Sequence, residues 1–208
     1  MKKAFLSLSM FLLGVIIITT NCTPTKEGNK ANMETEKITE IKASNPHYLI
    51  TITQNGKALG EIELELFPDI APKHVHNFDS LVAVKFYDGC AFHRVIPGFM
   101  IQGGDPNSKD KPKNTWGMGD PSQTRVPAEF NSMKHERGVI SAARSNDPNS
   151  ATSQFFLMHA ASPHLDGQYS AYGKIVKGIE VVDAVCKVPM DGSAPKEKVE
   201  MKIVKISK

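Results

Sequence analysis

The sequence predicts a mainly β fold, either a sandwich or a closed barrel, for the region from Pro46 to Lys208. Eight short segments have strand-like patterns, and many short strands at fairly even spacing are typical of these two architectures. Only two segments have a helical pattern, which is too few for a doubly wound sheet, where helices alternate with strands. The region is long enough to bury a core of its own, so we expect one domain.

The first two predicted strands form a hairpin. Residues His47 to Gln54 alternate between two faces, and the Asn55-Gly56 pair that follows is a strong hairpin-turn signal. The next segment, Gly60 to Phe67, places three branched apolar residues on one face and three glutamates on the other. This alternation indicates a strand with one buried face and one solvent-exposed face.

Two helices interrupt the strands. Pro72 suits a first helical turn, an apolar stripe follows it, and Gly89 is expected to end this helix. The second helix is predicted from about Gly178 to Lys187, before Pro189. The remaining predicted strands are Phe92–Arg94, Phe99–Gln102, Val139–Ala143, Gln154–His159, Ala171–Ile175 and Val199–Ile206. Between them the proline-rich stretch from residue 105 to residue 130 is predicted to be irregular, and a loop of that length is usually functional or mobile.

The N-terminus is similar to the export signal of a bacterial lipoprotein. Two lysines precede an apolar stretch that is shorter than the roughly 20 residues needed to span a membrane. The stretch leads to Cys22 through a segment that resembles a lipobox, although Thr19 and Asn21 depart from the usual pattern. We therefore predict a signal peptide over residues 1–22 and acylation of Cys22. A soluble periplasmic protein and an uncleaved membrane anchor are the alternatives.

Residues 23–45 are predicted to form a flexible tether between this anchor and the domain at residues 46–208. They are rich in Lys, Glu, Asn and Thr and contain too few apolar residues to bury a core. The expected location is the cell envelope, as a periplasmic or outer-membrane lipoprotein.

Composition argues against several function classes. The chain has 25 Lys and Arg against 22 Asp and Glu, and loss of the basic leader brings it close to neutrality. Because no basic run is interleaved with aromatic residues, we expect no nucleic-acid partner. Phosphate-binding glycine motifs are absent from the sequence, so no nucleotide cofactor is expected.

Histidines and cysteines also give no catalytic or metal site. His74 and His76 are two residues apart on a predicted helix and would point apart, so no metal is expected. Cys90 and His93 lie close in sequence but have no evident orienting partner, which argues against a cysteine nucleophile. We expect Cys90 and Cys186 to be free, largely buried thiols, although an exported compartment would permit a disulfide.

Two motifs indicate what the domain binds. The segment from Phe92 to Asp105 holds an arginine, an amide and several large apolar residues on two apolar runs joined by Pro-Gly. The segment from Ser153 to Phe156 adds a second amide and two aromatic residues. Such a set can enclose an apolar ring and hydrogen-bond a peptide. In these motifs the chain resembles the cyclophilin family of peptidyl-prolyl cis-trans isomerases, and the resemblance extends from about residue 48 to residue 206.

The resemblance implies a closed, eight-stranded antiparallel barrel capped by two helices. It also implies an enzyme (EC 5.2.1.8) that accelerates rotation about Xaa-Pro bonds and so assists the folding of exported proteins. The expected partners are unfolded or loop Xaa-Pro segments of envelope proteins, and the expected state is a monomer. The alternative is a non-catalytic module or holdase that binds proline peptides on the same barrel.

Arg94 is the predicted catalytic donor, together with Gln102. Rotation of a peptide bond must overcome about 18–20 kcal/mol, and the nitrogen of a twisted amide can accept a hydrogen bond. A guanidinium is always charged and offers several N–H groups to such an acceptor. The ordinary role of an arginine is a surface ion pair, but the match to the family favours the catalytic role, as does the apolar run around Arg94.

The substrate-binding surface is predicted from the same resemblance. It comprises Phe99, Met100, Ala143, Arg144, Gln154, Phe156, His164, Leu165 and Tyr169. The four most apolar of these would form the proline pocket, and without the resemblance each is more simply explained as core. Gln154 shares a strand face with Phe156, and Met100 shares one with Gln102. An amide among apolar residues is costly unless it is paired, so the two glutamines are predicted to hold a peptide backbone.

Three of these positions depart from the family pattern. Arg144 stands where asparagine is common, which leaves a backbone contact to the peptide intact but puts a side-chain contact in doubt. His164 takes the place of a tryptophan found in many eukaryotic members, and Tyr169 takes the place of a histidine. These departures weaken the case for cyclosporin binding more than the case for isomerase activity.

Overall fold

The structure, a computed structural model, describes residues 44–207. The predictions for the leader, for Cys22 and for nearly all of the tether therefore fall outside the described residues. In chain order the elements are β1 His47–Gln54, β2 Lys57–Leu66, α1 Pro72–Ala83, β3 Phe92–Ile96, β4 Met100–Gly103, β5 Val139–Ala142, β6 Phe155–Met158, β7 Ala171–Lys177, α2 Ile179–Cys186, β8 Met190–Asp191, β9 Ala194–Pro195 and β10 Val199–Ile206.

Eight strands form one antiparallel sheet that closes almost completely into a barrel. Their order is β10-β1-β2-β7-β5-β6-β4-β3, while β8 and β9 form a separate small hairpin. The two ends of the sheet meet through a bridge between Ala91, just before β3, and Glu200 in β10. The backbone N–H of Met201 also donates to the carbonyl of Cys90 at 2.8 Å. The predicted mainly β fold with two helices is thus confirmed as a barrel.

Alternation along β4 and β6 separates two apolar clusters. Ile101 and Phe155 belong to the large core cluster, which includes apolar residues of both helices. Met100 and Phe156 belong to a smaller cluster on the other face of the sheet. Successive side chains of a strand point to opposite faces, so these strands are buried on both sides. The smaller cluster forms the base of the candidate site.

The first helix ends earlier than the sequence predicts. It was expected to continue to Gly89, but α1 ends at Ala83 and Lys85 has a φ of 55°. The N–H of Phe86 donates to the carbonyl of Leu81 at 2.9 Å, and the N–H of Lys85 donates within the same turn. This is a Schellman motif with lysine where glycine is usual, so the sequence shows no stop signal there. The β8–β9 hairpin was also not predicted, because two-residue strands are too short to show alternation.

The stretch from residue 105 to residue 130 is irregular, as predicted, and a buried carboxylate organises its first part. Asp105 is 0% exposed and accepts a hydrogen bond from the backbone N–H of Asn107 at 3.0 Å. It also accepts from Gly119 at 3.3 Å and from Gly117. These bonds hold the loop at the end of β4, beside the candidate site.

The two cysteines of the domain have no catalytic features. Cys90 is buried, Cys186 is half-buried, and both are free. Burial raises the pKa of each thiol to about 11. Because the thiolate is the reactive form, both are unreactive at neutral pH.

No helix within residues 44–207 is long and apolar enough to cross a membrane.

Candidate active site

The β3–β4 hairpin positions the catalytic pair predicted from the sequence. Arg94 on β3 stands opposite Gln102 on β4. The turn that joins the strands contains Gly98 with a φ of 79°, and the N–H of Phe99 donates to the carbonyl of Ile96 at 3.0 Å. Proline followed by a glycine of positive φ is the pattern of a type II turn. The turn therefore fixes the position of Phe99, which directly precedes β4.

An open cavity of about 400 Å³ lies beside this hairpin. Its lining includes most of the predicted site residues: Arg94, Phe99, Met100, Gln102, Ala143, Arg144, Phe156, His164, Leu165 and Tyr169. Gln168 completes the lining and was not predicted. The cavity is large enough to take a small ligand group such as a proline ring. Its lining contains two arginines and no carboxylate, so the cavity carries a positive charge.

The apolar wall of the cavity is closely packed. Met100 and Phe156 are 1% and 5% exposed. The ring of Phe156 packs edge-on against Tyr169, with ring centroids 5.7 Å apart. On the opposite rim the ring of Phe99 lies 5.7 Å from that of His164. Packed aromatic rings of this kind provide a preformed apolar surface for a proline ring.

A row of hydrogen-bonded side chains runs along the polar wall. Nη1 of Arg94 donates to Oε1 of Gln102 at 3.2 Å. Nε2 of Gln102 donates to Oε1 of Gln154 at 3.1 Å, and Nε2 of Gln154 donates to the carbonyl of Gly117 at 3.1 Å. Nη1 of Arg94 also lies 4.0 Å from the sulfur of Met100. The arginine is exposed and is oriented by an amide and a thioether, in contrast to the ion pair of an ordinary surface arginine.

Gln154 lines a second cavity of about 370 Å³, which adjoins the first. Gln102, Ala143 and Arg144 line both cavities, whereas the loop at residues 117–121 lines only the second. The two cavities together form a groove in which a peptide can extend beyond its proline.

Arg144 directs its side chain onto the cavity wall. The centre of its guanidinium lies 4.4 Å from the ring centroid of Tyr169, within the range of a cation–π contact. The guanidinium donates to the carbonyls of Ser145 at 2.8 Å and Gln168 at 3.0 Å. The backbone of Ala143 is already partly hydrogen-bonded within the domain, because its N–H donates to the carbonyl of Gln154 at 3.0 Å. The guanidinium thus braces the wall and adds positive charge to the rim.

His135 lies behind the apolar wall and was not predicted. It is 1% exposed, and its ring stacks on Phe156 with centroids 6.2 Å apart. Its Nδ1 lies 3.2 Å from Oδ1 of Asp166, and its Nε2 lies 3.1 Å from Oγ of Ser141. Because a carboxylate only accepts, Nδ1 carries the hydrogen and Nε2 accepts from the serine. Burial lowers the pKa of His135, although Asp166 opposes this effect. An isolated histidine in an irregular stretch gives no sequence signal for such a role.

His74 has a structural role. Its Nδ1 lies 2.7 Å from a carboxylate oxygen of Glu129. The same carboxylate accepts from the backbone N–H groups of Lys73 and His74 at the start of α1. This arrangement satisfies N–H groups that a helix leaves unpaired at its first turn. Within the described range no cluster of His, Cys, Asp or Glu side chains could hold a metal ion.

The chain is similar to proteins described as peptidyl-prolyl cis-trans isomerases. The chain is 46% identical to a probable peptidyl-prolyl cis-trans isomerase of Brucella suis over 132 residues, which cover 62% of this chain and 67% of that protein. It is 39% identical to a peptidyl-prolyl cis-trans isomerase of Acinetobacter baylyi over 171 residues, or 75% of this chain and 85% of that protein.

A solved structure and a family profile complete the comparison. A cyclophilin type isomerase of Cryptosporidium parvum, determined in the presence of the dipeptide Ala-Pro, superimposes with a TM-score of 0.68. The two chains are 31% identical, over 78% of this chain and 99% of the other. The profile described as "Cyclophilin type peptidyl-prolyl cis-trans isomerase/CLD" matches residues 49–207. A match over most of the chain, together with the barrel and its groove, shows that this protein belongs to the cyclophilin-type peptidyl-prolyl cis-trans isomerase family.

Proposed function

We propose that this isomerase acts on Xaa-Pro bonds in unfolded or loop segments of exported proteins, and that Arg94 is its catalytic donor. One observation carries the catalytic part. Arg94 stands at the edge of an apolar cavity, held by Gln102 at 3.2 Å and adjoining the sulfur of Met100. A charged donor is thereby aimed along the surface on which a proline ring can rest.

Isomerisation needs no bond to be made or broken, only rotation against a barrier of about 18–20 kcal/mol. A planar amide nitrogen is a poor acceptor because its lone pair is delocalised. When the amide twists, that delocalisation is lost and the nitrogen can accept a hydrogen bond. A donor that reaches the nitrogen only in this state binds the transition state more tightly than either ground state, and this difference accelerates the reaction.

The other site residues are assigned to holding the peptide. Phe99, Met100, Phe156 and Leu165 would enclose the proline ring, since they form the apolar part of the cavity. Gln102 and Gln154 would hold the backbone on the polar wall, where their amides already form a hydrogen-bonded row. The solved relative from Cryptosporidium parvum was determined in the presence of Ala-Pro, a dipeptide of the class proposed here.

The cellular part of the proposal rests on the N-terminal sequence. The leader that ends at Cys22 would export the chain and anchor it through acyl groups, and residues 23–45 would tether the domain to the membrane. The proposed clients are envelope proteins, the proposed state is a monomer, and no nucleic acid or cofactor takes part. Catalysis that needs no ATP suits that compartment.

A protease-coupled isomerisation assay with an Ala-Pro peptide tests the catalytic proposal on the full-length chain. Arg94→Ala removes a charge-assisted hydrogen bond of roughly 1.5–3 kcal/mol, so kcat/KM should fall about 10- to 150-fold while peptide affinity changes less. Arg94→Lys keeps the charge but loses the fork geometry, and it should recover part of the rate. If kcat/KM of Arg94→Ala stays within about twofold of the wild type, Arg94 is not the donor. A wild type that binds the peptide without accelerating its isomerisation would indicate the non-catalytic binding module.

A further inference from the structure

The turn between β3 and β4 has two possible arrangements that matter for Phe99. A type I and a type II turn differ by a flip of the central peptide, here the one between Pro97 and Gly98. The φ of 79° at Gly98 selects type II in this structure. The flip would reverse the directions of the Gly98 N–H and the Pro97 carbonyl and leave the Cα positions of the turn nearly in place. A group that binds this N–H therefore selects the type II arrangement of the turn that leads into Phe99.

His159, just after β6, is that group. Its Nδ1 accepts a hydrogen bond from the N–H of Gly98 at 2.9 Å. Its backbone N–H donates to the carbonyl of Phe99, also at 2.9 Å. His159 thus contacts the turn at two points, the N–H of Gly98 and the carbonyl of Phe99. The side-chain contact is specific to the type II arrangement, because only that arrangement presents the Gly98 N–H to the imidazole.

An ion pair fixes the tautomer of His159. Its Nε2 lies 3.2 Å from Oδ1 of Asp183 on α2. Arg137 holds both oxygens of Asp183 at 2.8 Å and donates to the carbonyl of His159 at 2.7 Å. The hydrogen bonds from Arg137 lower the pKa of Asp183, which keeps it an acceptor. A carboxylate at Nε2 requires a hydrogen there, and this leaves Nδ1 free to accept from Gly98.

We propose that His159 is a positioning residue for the isomerase. With its tautomer fixed by Asp183 and Arg137, it holds the turn at Gly98 so that Phe99 forms one side of the proline pocket. The proposal rests on the proposed function of Phe99 and extends it to a residue outside the cavity.

The charged and titratable groups around His159 are compatible with this role. Asp183 contacts the ring directly, and Arg137 is bound to both Asp183 and the backbone of His159. Lys187, one turn further along the chain from Asp183, also contributes positive charge to that carboxylate. The ring of His164 lies near Phe99, with the centroids 5.7 Å apart and the ring planes tilted by 32°.

Two amide substitutions test the roles of the two ring nitrogens of His159 separately. Asn places Oδ1 near the position of Nδ1, so His159→Asn keeps the acceptor for Gly98 and loses the contact with Asp183. Gln reaches the position of Nε2, so His159→Gln keeps the contact with Asp183 and loses the acceptor. With an Ala-Pro peptide and the full-length chain, His159→Gln should raise KM roughly 3- to 10-fold with a smaller change in kcat. His159→Asn should stay within about twofold of the wild type.

The comparison of the two variants decides the matter. Equal effects of His159→Asn and His159→Gln on KM would overturn the proposal.

A measurement independent of activity keeps the test decisive. Nitrogen-15 NMR of the wild type should show the Nε2–H tautomer of His159, and the Gly98 amide signal should move in His159→Gln more than in His159→Asn. An Nδ1–H tautomer overturns the proposal even if the variants fail to fold. If instead the wild type shows no isomerase activity, the proposed function fails while the tautomer and the Gly98 signal still decide whether His159 holds the turn.

Discussion

Gln102 fixes the direction of Arg94 across the β3–β4 pair. The two residues are register partners, and Nη1 of Arg94 lies 3.2 Å from Oε1 of Gln102. The amide of Gln102 cannot turn freely, because its Nε2 donates to Gln154 at 3.1 Å. A long, exposed arginine would otherwise lose rotamer freedom on reaching a substrate atom. Because Gln102 already restricts the rotamers of Arg94, less conformational entropy is lost when a substrate binds.

Removal of this support should slow isomerisation without unfolding the domain. In Gln102→Leu the arginine loses a hydrogen bond of roughly 0.5–1.5 kcal/mol, so kcat/KM should fall about 2- to 12-fold. The melting temperature should change little, because Gln102 is half-buried at the edge of the cavity. Gln54→Leu is the control, since Gln54 is also a half-buried strand glutamine with a side-chain hydrogen bond, and it lies outside the groove. Equal rates for Gln102→Leu and the wild type would show that Arg94 needs no such support.

Strand periodicity predicts much of the site. The spacing of Met100 and Gln102 puts them on one face, and both line the same cavity. The same rule groups Gln154 with Phe156. Gln154 hydrogen-bonds to Gln102 and lines the adjoining cavity, so it faces the same groove as Phe156. Spacing alone does not show that this groove has two cavities, because the second one is lined by the distant loop at residues 117–121.

Features that depend on distant partners could not be predicted. His135 acquires its role from Ser141 and Asp166, which fold back onto it from β5 and from a later turn. Asp105 organises its loop through backbone N–H groups that any residue could supply. Such contacts leave no periodic pattern and no characteristic residue type at their other end.

Acid should destabilise the domain in part through His135. Burial holds its folded-state pKa below the ordinary value of 6.5. As the pH falls from that value towards the folded pKa, the unfolded chain therefore binds more protons, and stability is lost across this window. Protonation would also deprive Ser141 of its acceptor at Nε2. Thermal unfolding at about pH 7.5 and about pH 5 should show a lower melting temperature in acid, and His135→Gln should reduce the difference.

Two other buried histidines contribute to the same acid sensitivity. Burial also lowers the pKa of His74 and of His93, so His135→Gln should reduce the pH dependence without abolishing it. The exposed His164 provides the control, and His164→Gln should leave the difference between the two pH values unchanged. An unaltered difference in His135→Gln would show that folding does not change the proton binding of His135 over this range.

Acylation of Cys22 is a prediction from the leader alone. The short apolar stretch before the cysteine and the polar stretch after it are the motivating features. Metabolic labelling with a fatty-acid analogue should mark the wild type and leave Cys22→Ser unlabelled. An unlabelled wild type that is recovered in the soluble envelope fraction would exclude the lipoprotein, while the export signal would stand.

His164 bears on inhibition more than on turnover. It is exposed and its ring lies 5.7 Å from that of Phe99, at the rim of the cavity. The proline ring is expected to rest against Phe99, Met100, Phe156 and Leu165 instead. Substitution at position 164 should therefore leave isomerase rates within a few-fold of the wild type.

Cyclosporin should distinguish this chain from family members with a tryptophan at the same place. An indole provides an N–H donor and a large apolar face, whereas the imidazole of His164 is smaller and more polar. Cyclosporin should inhibit the wild type weakly and His164→Trp clearly more strongly, in the same peptide assay. Potent inhibition of the wild type would mean that the Phe99–His164 rim already supplies the surface that the inhibitor needs. Collapse of activity in His164→Trp would instead place the bound proline closer to that rim than to Phe156.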